Sequence, residues 1–169
     1  MKRLLACLLV LAIAFGMCAC AGKDDEIQKP VNFYYLGLLD AKDDFENIVI
    51  AEVREGYGYE DSTLALINLY LFGPKSEEFT NPFPEDVTVY SLSVESEKVS
   101  IVLTKQFAQL TGLDLTLACS CLCLTLFELY EAETVEIAVA GTLLDGHNSL
   151  TFDRNDLVLT DISYSSLAQ

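Results

Sequence analysis

Cys119, Cys121 and Cys123 fall within one apolar run of the chain. Residues four apart share a helix face, so Cys119 and Cys123 sit together while Cys121 points elsewhere. Two thiolates on one turn would start a metal site. A structural zinc wants four ligands, and the remaining cysteines (Cys7, Cys18 and Cys20) and the lone histidine do not supply them. Core packing is the better account of these small, polarisable side chains. Asp145 and His147 offer an acid–base pair in a loop. No serine elbow and no His-Glu-x-x-His run accompanies them, so a loop histidine with a local hydrogen bond is expected. Asp40, Asp43, Asp44 and Glu46 crowd carboxylates together but lack the glycine and alternating oxygens of a calcium loop. They read as a solvated loop. Gly56-Tyr57-Gly58-Tyr59 is a turn rather than a dinucleotide fingerprint, because Asp61 stands where the third glycine belongs. Phe33, Tyr34, Tyr35, Tyr57, Tyr59 and Phe83 are expected mainly in the core and in loop packing. Any left outside would meet a glycan or a partner, since exposed apolar patches mark contact sites. These residues assemble no catalytic, cofactor or metal site, so the expectation is a protein that is not an enzyme.

The chain has 169 residues, is 51% hydrophobic and carries a net charge of −16. That length suits one domain plus a targeting segment. So acidic a surface repels nucleic acid and anionic headgroups, which excludes nucleic acid as a partner. Half of the six cysteines lie in the N-terminal segment and half in one helix, so this is no disulfide scaffold. Residues 1–19 form a secretory signal, with Lys2 and Arg3 ahead of a short apolar stretch and a small-residue exit. Met17-Cys18-Ala19-Cys20 resembles a bacterial lipobox. Ala19 is the small residue the peptidase wants before the modified cysteine, so Cys20 is the expected lipid attachment site. Ordinary cleavage near Ala21 and an uncleaved anchor are the alternatives. All three place the domain outside the cytoplasm. Several acyl chains on Cys20 give stable anchoring at the cell membrane. Residues 20–30 are a polar tether, and the ten residues after Cys20 reach at most about 36 Å when extended.

The elements that follow are those of an α+β domain over residues 31–161, with a tail at 162–169. Residues 31–36 and 48–54 read as strands. A helix capped by Asp61 or Ser62 runs to about Phe72, with Leu64, Ile67 and Leu71 on one face, and Gly73-Pro74 stops it. Residues 75–85 are a loop. Strands at 87–95 and 98–104 form a hairpin about Ser96-Glu97. Matching apolar faces pairs Val94 with Val99, Leu92 with Ile101 and Tyr90 with Leu103. Residues 105–110 make a short helical connection. The central helix spans about 113–130, opened by a Thr111–Asp114 capping box and apolar nearly all round, hence buried. Its length also suits a bilayer span. Ser120, Thr116 and Thr125, with no basic flanks, argue instead for a core helix. Val135, Ile137 and Val139 mark another strand, and 150–161 is irregular.

From Ser62 the order is specific. Leu71-Phe72-Gly73-Pro74 ends a helix, then come Leu92-Ser93-Val94 and Val99-Ser100-Ile101-Val102-Leu103. Phe107 and Gly112-Leu113-Asp114-Leu115-Thr116-Leu117 lead into the long helix, and Val135-Glu136-Ile137-Ala138-Val139 closes the set. Asp145-Gly146-His147 with Leu157 follows. This pattern resembles the GerMN domain of sporulation and spore-germination lipoproteins, most closely over 62–141. The resemblance implies a small β-sheet with two principal helices packed on it, similar to the ring-building folds of secretion assemblies. It implies a non-enzymatic lipoprotein that works through other spore-envelope or cell-envelope proteins in sporulation or germination. A lipid-anchored module binding peptidoglycan fragments or a small ligand is the alternative.

Overall fold

The computed structural model describes residues 30–37, 49–55 and 63–157. The signal segment, Cys20, the tether up to Lys29, the acidic residues 40–46, the turn at 56–59 and the tail lie outside the described residues, while Pro30, expected in the tether, opens the first strand.

Two short sheets form where one was expected. The first has the order β2-β1-β3, from β1 (Pro30–Gly37), β2 (Val49–Glu55) and β3 (Phe79–Thr80). The second has the order β4-β5-β6-β7, from β4 (Val89–Glu95), β5 (Lys98–Leu103), β6 (Thr134–Val139) and β7 (Ser149–Asp153). Helix α1 (Thr63–Phe72) packs beside β4. Helix α2 (Gly112–Tyr130) touches β1 and β2 of one sheet and β6 of the other. The class is the expected α+β, with α2 as the bridge between sheets. Strands β5 and β6 run parallel, so the chain crosses over between them through a 3₁₀ turn (Lys105–Gln109) and α2.

The hairpin register is as expected at Val94↔Val99 and Leu92↔Ile101. It departs at Tyr90. An irregularity between Val89 and Ser91 puts Val89 opposite Leu103, and Tyr90 is 71% exposed. One residue too many on the bulged strand turns the ring outward. Two strands appear where loop was expected. β3 is a two-residue pairing with Leu36 and Gly37. β7 pairs along β6, with Leu150 and Phe152 facing the core in alternation with Ser149, Thr151 and Asp153.

Helix α2 buries Leu115, Ala118, Cys119, Leu122 and Leu126, together with Cys121, Cys123, Thr125 and Phe127. The burial is a broad stripe rather than the whole circumference, because Leu113 is 71% exposed and Leu117, Leu124 and Leu129 are half-buried. The helix is long and apolar enough for a bilayer, yet its buried half packs inside the domain. Thr111 takes the N-cap position without any side-chain cap bond. The hydroxyls are used further along instead, where Thr116 donates to the Gly112 carbonyl at 3.0 Å and Ser120 to the Thr116 carbonyl at 2.9 Å.

The polar face of the second sheet is tied across strands by Glu136. Its carboxylate takes Lys98 Nζ at 2.7 Å and the Ser149 hydroxyl at 2.8 Å. The Lys98 bond, then the Ser149 bond, hold the Glu136 carboxyl below the usual carboxylate range. A group whose folded pKa is depressed stabilises above its unfolded pKa, and that contribution disappears as the pH falls through the folded value. Glu136→Gln is therefore expected to lower the unfolding free energy at pH 7 by no more than about 1 kcal/mol, as for a solvent-screened pair. Denaturant titrations of both forms should converge once the pH falls below the carboxylate range.

Candidate functional site

The three thiols of α2 are free and fully buried. Burial alone pushes Cys119 to about 12, and it does the same to Cys121 against a small opposing backbone bond. Burial again, then the neighbouring thiols, raise Cys123 well above normal. Thiols of this kind present no thiolate at neutral pH, neither nucleophile nor ligand. Among the described residues no group of three or more His, Cys, Asp or Glu could hold a metal ion. Asp145 and Gly146 (φ 48° and 82°) make the two-residue turn that joins Leu144 to His147. The backbones of Leu144 and His147 exchange hydrogen bonds at 2.8 and 2.9 Å, and the imidazole is exposed. The pair builds a hairpin tip, where positive φ is required of both turn residues.

Phe33, Tyr35 and Phe83 lie in the core around Tyr70, whose ring centroid is 5.1 Å from each of theirs. Tyr34 is half-buried, and its hydroxyl donates to the Glu128 carboxylate on α2. Tyr57 and Tyr59 lie outside the described residues. The Tyr35 hydroxyl donates to the Tyr70 carbonyl and the Tyr70 hydroxyl to the Tyr34 carbonyl, both at 2.8 Å. Burial raises both phenols, so they serve as neutral donors.

Helix α2 packs against β1, and fully buried Thr125 supplies an acceptor there. The Tyr34 N–H donates to Thr125 Oγ1 at 3.0 Å. Thr125→Val keeps the shape but removes that acceptor. It should cost roughly 1 kcal/mol in denaturant unfolding, the size of one such bond.

Two ionic networks escape the sequence reading. On β2, Glu52 and Arg54 point inward while Val53 is 66% exposed. Arg54 Nε donates to Glu52 Oε2 at 2.6 Å, and its Nη2 donates to the Gly73 carbonyl at 2.7 Å and to Tyr35 Oη at 3.2 Å. Glu52 Oε1 accepts the Lys75 and Ser76 N–H groups, both at 2.9 Å. The guanidinium stacks over Phe33 at 5.0 Å and Tyr35 at 5.6 Å. Two charges two residues apart in an otherwise apolar strand share one face, and that spacing was the available signal. The second network is at Arg154, which closes the C-terminus of α2. Its guanidinium donates to the Phe127 carbonyl at 2.6 Å and to the Ala132 carbonyl at 2.7 and 2.9 Å. Both networks serve the fold.

What faces outward is different in kind. A groove of about 470 Å³ opens between the end of α1 and residues 81–88. A second, of about 500 Å³, lies between the start of β1 and the end of α2, lined by Pro30, Val31, Asn32 and residues 128–131.

Together these features define a small α+β domain whose buried ionic groups are spent on the fold and which offers grooves to its surroundings. A family model described as Germane, sporulation and spore germination, matches residues 32–145, and the chain belongs to that family. The fold is similar to that of the tandem GerMN domains of the sporulation protein GerM from Bacillus subtilis, at 23% identity and a TM-score of 0.51. That match covers 72% of this chain and 43% of the other, so this chain spans less than half of that structure. A Clostridium perfringens protein, assigned by name as a lipoprotein, is 18% identical with a TM-score of 0.48, covering 76% and 89% of the two chains. No curated protein matches. The GerMN-like reading of the sequence holds, and the family is not known as enzymatic.

Proposed function

We propose that this protein is a non-enzymatic lipoprotein, anchored through Cys20 on the outer face of the cell membrane. From there its single domain works by contact with other envelope proteins in sporulation or spore germination. The observation that carries this reading is membership of the sporulation and germination family over residues 32–145. The signal segment and the Ala19-Cys20 junction support the location. The inward use of the ionic networks supports a contact role over a chemical one. In a spore-forming host, deleting the gene should lower the yield of heat-resistant spores or their germination. A Cys20→Ala copy should fail to restore it. Unchanged sporulation and germination after deletion would overturn the proposal.

The two grooves favour a second reading, a lipid-anchored module for peptidoglycan fragments or a small ligand. Their volumes lie in the range of small-molecule sites. It predicts a saturable thermal shift with purified cell-wall fragments.

A further inference from the structure

Phe72 is the last residue of α1 and is 90% exposed, the most exposed large apolar side chain among the described residues. The backbone around it is held firmly. Gly73, at φ 125°, ends the helix and donates its N–H to the Tyr70 carbonyl at 3.1 Å. The Asn81 amide donates to the Leu71 carbonyl at 3.2 Å and to the Phe72 carbonyl at 3.4 Å. A side chain at Gly73 would meet the Asn81 amide at 3.0 Å. The exposed ring therefore sits on a fixed mount.

Phe72 forms one wall of the groove, and buried Leu71, Phe83 and Val87 lie along its base. The groove is also lined by a turn closed by the Val87 N–H on the Pro84 carbonyl at 3.4 Å. Its tip is Glu85 and Asp86, with Asp86 at φ 61°. Both carboxylates are exposed, and among the described residues neither is held in an ion pair. An apolar base, one aromatic wall and one acidic wall call for a ligand with an apolar side chain beside a cation.

We propose that the groove between Phe72 and the Glu85–Asp86 turn docks a basic, apolar peptide segment of a partner protein, an aromatic or aliphatic side chain seated against Phe72 and a neighbouring lysine or arginine against the two carboxylates. The inference rests on the protein-contact reading above and names the chemistry of the partner. Charge complementarity decides the occupant. A second copy of this chain would bring net negative charge to an acidic rim, whereas a cationic segment is drawn to it.

The test uses the full lipidated chain in nanodiscs of zwitterionic lipid, with fluorescence anisotropy as the readout. The probe is a fluorescein-labelled hexapeptide alternating lysine with leucine and phenylalanine, and its counterpart replaces lysine with glutamate. The basic peptide should bind saturably and the acidic one should not. Phe72→Ser should weaken binding about tenfold or more, as removal of an anchor residue does. The Glu85→Gln, Asp86→Asn double variant should weaken it and flatten its salt dependence. These positions are exposed, so circular dichroism should be unchanged in both variants. Equal binding to Phe72→Ser and wild type, equal binding of the acidic peptide, or no saturable binding would overturn the groove proposal. So would self-association of the chain that Phe72→Ser abolishes. Failure here with envelope proteins still captured by the full chain contradicts the groove alone. Failure of that capture contradicts the contact reading itself.

Discussion

Arg54→Ala should lower the unfolding free energy by about 3–5 kcal/mol, the loss expected when one partner of a buried ion pair is removed. The Glu52 side chain is 9% exposed and would be left without its cation. The Gly73 carbonyl and the Tyr35 hydroxyl would lose their donor, and the rings of Phe33 and Tyr35 would lose the stacked cation. Removing both charges, as Glu52→Leu with Arg54→Met, should cost less than the two single changes added together, because the stranded charge is then absent. Some loss must remain, since the Lys75 and Ser76 N–H groups lose their carboxylate. Chemical denaturation of the four forms measures this coupling. Additive losses would show that the pair contributes nothing as a pair.

The second large effect is expected at the C-terminus of α2. Arg154→Ala should cost about 2–3 kcal/mol, in the range of charge-assisted hydrogen bonds to a neutral carbonyl. The C-terminus of α2 needs this cation. Acidic Glu128 lies near its end, and Glu131 leaves the helix at φ 51°, where glycine is the usual residue. No basic residue sits in its last turn. Arg154, the residue directly after β7, bonds the Phe127 and Ala132 carbonyls and lies 5.1 Å from the Phe127 ring centroid. Arg154→Lys should restore little of the loss, because a single ammonium cannot span two carbonyls and stack on the ring together. Unfolding of both variants, with hydrogen exchange at the last turn of α2, reads the effect.

These two residues also mark what the sequence could and could not disclose. Composition and alternation are local signals, so the aromatic strand around Phe33 and Tyr35, the pairing of Val94 with Val99 and the alternating strand around Ile137 were all legible. The Tyr90 position was not, because a bulge shifts register without changing the residue pattern before it. Leu150 and Phe152 do alternate, but over five residues only, beside a more apolar run at 157–159. The Glu52–Arg54 pair was readable in principle as two charges on one face of an apolar strand. Arg154 was not, since its carbonyl partners lie 22 and 27 residues away in the chain. The cysteine spacing could have started a metal site, but the lack of further ligands favoured core packing, and burial explains why those thiols stay inert. Phe72 was the hardest to read. Gly73-Pro74 marked the helix end, but only the fold shows that the ring at that apolar end is left outside.

The central claim is that this domain works by contact with envelope proteins from a membrane anchor. Its most direct test is cross-linking and affinity capture of the full-length protein from envelopes of sporulating cells, with Cys20→Ala as the control. Reproducible enrichment of spore-envelope proteins, reduced or lost with Cys20→Ala, is the predicted result. Capture of no protein, under conditions where known envelope neighbours cross-link, would contradict the account.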